Sequence, residues 1–206
     1  VPSLRDTVSP KSCCTGIGTQ MDIDWNQFET LLAELTTREV EAFAASHATE
    51  PFYGFMFDCN SDYGQILLCL NTEAELQADA ESAKEGNPDF DAEETLEGWC
   101  NSRRWNAGDW KYQGFNSTEF DDAWEPFETV VSDMCMDEEE DEDTFMTPTQ
   151  DKFMKSVCRV LIRLDNTGIF DRLSKTVDFK TFVADHDELD SESWERLASV
   201  RTESAP

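Results

Sequence analysis

Positive charge is what this sequence has least of. Only 16 Lys and Arg stand against 45 Asp and Glu in 206 residues, a formal net charge of −29. The shortage excludes a phosphate backbone or an anionic membrane surface as ligand, because both need a positive footprint. Histidine is scarcer still. His47 and His186 each stand alone, so spacing indicates no nucleophile–base pair. His47 falls at a predicted helix end, where a dipole contact accounts for it, and His186 lies among acids in DHDELD. GxSxG, HExxH, Walker and GxGxxG patterns are all missing, and GIGTQ follows no strand, so it fails the context test for a phosphate loop. No apolar run approaches the length of a membrane helix, and residues 1–20 lack the basic-then-apolar order of a secretory signal. The cysteines at 13, 14, 59, 69, 100, 135 and 158 are odd in number and form no CxxC pair. Reduced, buried thiols are therefore expected, not a disulfide framework or a zinc site. Together these absences point to a cytoplasmic protein with no cofactor, and to binding instead of catalysis.

What is present is a core. The chain carries 14 Phe and 6 Trp and is 39% hydrophobic, too apolar for a disordered acidic polymer and long enough for one full domain. The first twenty residues are rich in Ser, Thr, Gly and Pro and lack aromatics, so 1–20 reads as a flexible leader, with the folded unit over 21–206. Asp24 caps a predicted helix over 25–47, whose Trp25, Phe28, Leu31, Leu32, Leu35, Val40 and Phe43 recur at helical spacing. PFYGFMFDC and YGQILLCLN, joined at Asn60-Ser61-Asp62, predict a hairpin. Thr72 with Glu75 resembles a capping box for a helix over 73–85. A short helix, a loop and an extended piece at DWKYQGF should follow, then helices over 117–135 and from Thr147-Pro148 to Gly168. TVDFKTFVAD alternates Val177, Phe179, Thr181 and Val183 as a half-buried strand, and SESWERLASV offers a terminal helical turn or two. The order predicts an α+β fold: a small, mainly antiparallel sheet packed against several amphipathic helices.

Three stretches carry chemistry. WCNSRRWNAGDWKY sets three tryptophans beside Arg103, Arg104 and Lys111. It suits a recognition surface built on Trp105 and Trp110, or a small-ligand or enzymatic pocket over residues 99–115. The structural alternative is that the cations pair internally and the rings fill the core. Between Gln113 and Asp151 there are fourteen acids and no Lys or Arg. That run includes Asp121, Asp122 and Glu125 on a helix and the block Asp137, Glu138, Glu139, Glu140, Asp141, Glu142 and Asp143, expected in an acidic loop. A one-sign surface of this kind steers a basic partner. Asp185, Asp187, Glu188, Asp190 and Glu192 crowd hard oxygens together, but without the central Gly and terminal Glu of a calcium hand, so no metal site is assigned.

The sequence also resembles a bacterial family known only as a domain of unknown function, of about this length. The resemblance covers residues 21–200, and its most specific pieces are Trp105 to Phe115 and Leu164 to Phe170. It implies kinship with immunity proteins encoded beside polymorphic or secretion-system toxins, and it supplies no catalytic residues to carry over. The expectation is an inhibitor of a cognate, basic toxin or effector enzyme, with no nucleic-acid or membrane partner. The acidic residues named above, with Trp105 and Trp110, would meet that partner.

Overall fold

The computed structural model describes residues 22–86, 95–140, 146–186, 188 and 190–203. The expected leader 1–20 and residues 141–143 of the acidic block lie outside them. Helix α1 (Trp25–Ser46) opens as expected, with the Asp24 carboxylate accepting from the backbone N–H groups of Asn26 and Gln27. The hairpin follows as β1 (Phe52–Asn60) and β2 (Gln65–Thr72), and its turn needs Gly64 at φ +65°. Then come α2 (Glu73–Gly86), α3 (Leu96–Arg103), α4 (Thr118–Asp137), α5 (Pro148–Thr167), β3 (Lys175–Asp185) and α6 (Asp190–Glu203). Thr147 and Gln150 form a reciprocal capping box on α5, and Gly168 closes that helix in the left-handed conformation, φ +72°.

The α+β class is as expected. The sheet order is β2-β1-β3, with β1 antiparallel to β2 and parallel to β3, so the last strand returns beside the first. β1 is consequently the central strand, and six of its residues, Phe52 to Phe57, are buried. Two local expectations change. Pairing with β1 passes from Phe52↔Lys175 directly to Gly54↔Lys180, so residues 176–179 step away from the neighbouring strand. Val177 is therefore fully exposed and does not alternate inward. The C-terminal turn is a 14-residue helix that buries Leu197 and Val200 and stacks Trp194 on Phe182 at 4.9 Å.

The core is continuous and aromatic. Phe28 meets Trp124, Phe127 and Phe153 at 4.8 to 5.6 Å, which locks α1, α4 and α5 together. Glu29, nearly buried on α1, accepts from Arg159 at 2.6 Å and Arg163 at 3.1 Å, tying α1 to α5 where an unpaired carboxylate would be costly. Successive side chains of β1 point to opposite faces. Phe55 and Phe57 share one face, Phe55 lying 4.7 Å from Phe170, while Met56 and Asp58 share the other.

Candidate functional site

The tryptophan-arginine segment is spent mainly on the fold. Arg104 makes a bidentate pair with Glu73, 2.7 Å on each arm, and lies over the Tyr53 ring at 4.7 Å. Arg103 bridges Asp79 and Asp109, and Lys111 reaches Glu75 at 3.6 Å. These pairs fasten α3 and the following loop to α2. The Arg104 carbonyl accepts from both the Tyr53 hydroxyl, 2.8 Å, and the Trp110 indole N–H, 2.9 Å. Burial pushes the Tyr53 hydroxyl well above its ordinary pKa, so it acts as a donor throughout the physiological range. Trp110 is 3% exposed and offers a partner no surface, because its ring covers Gly54. Trp105 differs. It packs edge-to-face on Tyr53, Phe182 and Trp194, yet it stays half-buried and lines a cleft.

That cleft, about 860 Å³, lies over the end of the sheet. Its floor comes from the strands: Met56 and Asp58 of β1, Leu67 of β2 and Ala184 of β3. One wall is Trp105 with the 106–108 loop, and the other is the α4 face bearing Asp121, Asp122, Glu125 and Glu128. Asp185, His186 and Glu188 close the end. Among the described residues the lining holds seven carboxylates and no Lys or Arg.

Two of those acids are already satisfied. Asp185 accepts from the Ser61 backbone and hydroxyl, and Glu188 is paired with Arg196. Asp58 is not. It accepts no hydrogen bond and joins no ion pair among the described residues, and burial raises its pKa, with the His186 charge opposing and Asp185 adding to the rise. Glu128 is raised by burial and by its neighbours Asp121 and Glu125. Asp185 is raised by burial against the pull of its Ser61 bonds.

The acids predicted from sequence divide in the same way. Asp121, Asp122, Glu125 and Asp137 are exposed along α4, and Glu139 and Glu140 are exposed just beyond it. No ion pair among the described residues involves any acid of α4. Glu138 is engaged instead: its carboxylate accepts from the Thr149 N–H and hydroxyl, both at 2.8 Å, and so holds the first turn of α5. Sequence reasoning missed Asp58, Leu67 and Glu128. The available signal was Asp58 itself, a lone acid inside the apolar strand FYGFMFDCN, where an ionisable group needs a reason.

Burial raises the thiol pKa of all five cysteines among the described residues. The buried Cys59, Cys69 and Cys158 all have raised pKa values through desolvation, to about 12 for Cys69 and Cys158. No three His, Cys, Asp or Glu side chains among the described residues are grouped to hold a metal ion. What the cleft can do is hold a cation that also has apolar length. No helix among the described residues is long and apolar enough to cross a membrane. A model of the family described as Domain of unknown function (DUF4303) matches residues 32–199, most of the chain. No curated protein and no solved structure matches.

Proposed function

We propose that this chain, which belongs to the DUF4303 family, is an immunity-type inhibitor that docks a basic effector protein against α4 and the cleft beside it. The observation that carries the reading is the distribution of charge. Among the described residues the seven acids of α4 have no cationic partner, while Arg103, Arg104, Arg159, Arg163, Arg196 and Arg201 are committed to other acids. Unneutralised charge on a rigid helix raises the local concentration of a cationic partner and speeds encounter. Blocking a basic active-site groove by this face would neutralise the effector without any chemistry by the inhibitor.

The test has two parts. Tagged protein should retain a basic partner from the cells that make it, and co-expression should relieve that partner's toxicity. Charge reversal of the exposed α4 face (Asp121→Lys, Asp122→Lys, Glu125→Lys) should abolish both effects, because it replaces attraction with repulsion. Between 50 and 500 mM salt the association rate should fall by about tenfold or more as the field is screened. An association rate indifferent to salt, or full protection by the reversed variant, would refute the reading.

A further inference from the structure

The acidic face of α4 explains attraction but not anchoring, since exposed charges give encounter rate more than residence time. Tight interfaces instead rest on a few side chains seated in desolvated pockets. The floor of the cleft has the two features such a seat needs. Leu67, 43% exposed, and the half-buried Trp105 and Ala184 give it an apolar surface that is partly open to solvent. Asp58 sits on the same floor, half-buried and without a hydrogen-bonding partner among the described residues. A group that suits both has an apolar stem several carbons long and a cationic head, as in Lys and Arg. Compact inorganic cations would gain nothing from Leu67 and Trp105.

We infer that the cleft is the anchor site for a lysine or arginine side chain carried on an extended segment of the partner protein. Its stem lies along Leu67 and Trp105 and its head group meets Asp58. This rests on the partner-binding reading above and adds where the partner is held. Charge complementarity selects the occupant: Asp58 and Asp121, Asp122, Glu125 and Glu128 of α4 face the cleft, and no Lys or Arg among the described residues lines it. At about 860 Å³ the space also exceeds a single side chain, leaving room for the backbone on either side.

The probe is a capped pentapeptide, glycine–arginine–glycine–arginine–glycine, titrated at low salt into isotopically labelled protein and followed by amide and indole NMR. The citrulline counterpart, which keeps the shape and removes the charge, is the control. Shifts should concentrate at Asp58, Leu67, Ala184 and the Trp105 indole, should saturate, and should vanish with citrulline. Asp58→Asn, isosteric and readily checked for folding by the same spectrum, should weaken binding about fivefold or more. Leu67→Ser should weaken it as well, which a purely electrostatic contact would not. Shifts confined to the exposed acids of α4, with unchanged affinity in Asp58→Asn, would overturn the anchor while leaving the acidic docking face intact. Silence at both places, together with failure to capture a partner, would sink both readings. Spermine binding the floor as tightly as the peptide would replace a protein segment with a small polyamine. A concentration-dependent dimer that protects Leu67 would replace it with a second copy of the chain.

Discussion

Gly54 is where the central strand and the indole roof meet, and substituting it measures how tightly they are joined. A Cβ placed there would lie 2.9 Å from Trp105 Cζ3 and 3.0 Å from Trp110 Cη2, closer than side-chain carbons tolerate. Both indoles are fixed on their far sides, Trp110 by its bond to the Arg104 carbonyl and Trp105 by Phe182 and Trp194. Neither ring can swing away freely. Overpacking of this kind costs about 1–3 kcal/mol, and Gly→Ala recovers about 0.4–1 kcal/mol by restricting the unfolded chain. Gly54→Ala should therefore destabilise by roughly 1–2 kcal/mol, or about 2–8 °C in Tm for a chain of this size. Gly86→Ala is the matched control. It closes α2, a Cβ there meets nothing within 4 Å, and it should be neutral to slightly stabilising. Thermal unfolding by circular dichroism, with tryptophan emission as a second probe, decides the matter. An unchanged or raised Tm for Gly54→Ala would show that the indoles are not clamped on the strand and that the cleft wall formed by Trp105 is loose.

Acidification should stabilise this protein before it harms it. Asp58, Asp185 and Glu128 have native pKa values raised by burial, so their contribution is fully present when they are protonated and is lost as pH rises through the native pKa. The self-repulsion of −29 charges acts in the same direction. Tm should thus rise as pH falls from neutrality towards the ordinary carboxylate range of about 4, and a steady fall over that interval would contradict the assigned burial. The Glu188–Arg196 pair is about 90% buried on both sides, so Glu188→Gln alone should cost about 3–5 kcal/mol in urea unfolding, and adding Arg196→Met should restore much of it. Glu138→Ala should cost about 1 kcal/mol because it uncaps α5, whereas Glu139→Ala, exposed beside it, should change stability by less than about 0.5 kcal/mol.

The helices were the legible part of the sequence. Asp24, Thr147 and Gly168 mark their ends by local chemistry, and the Phe28–Leu32–Leu35 spacing announces the buried face of α1 without reference to anything distant. The hairpin was legible for the same reason, since its partners lie a few residues apart. The parallel return of β3 was not, because Phe55 meets Thr181 across more than a hundred residues and no local pattern specifies that pairing. Val177 misled because alternation assumes an uninterrupted ladder, and the ladder skips residues 176–179. The cleft was the least legible feature. Asp58, Trp105, Glu128 and Ala184 come from four separate stretches, and only the assembled fold makes them neighbours. Glu138 looked identical to Glu139 in the acidic run, and what separates them is the direction each faces at the start of α5.

The same parallel pairing has a kinetic side. A strand buried in the middle of a finished sheet must spend much of its synthesis with one edge open, because β3 emerges more than a hundred residues after β1. Contacts of such long range close slowly, and an unpaired, aromatic strand edge is what nascent chains aggregate through. Twenty-eight of the chain's acids lie between β1 and β3 in sequence, and they are made before the missing edge arrives. Like charge on every half-finished copy keeps those copies apart. The same charge that marks the folded surface thus also bears on how the chain assembles.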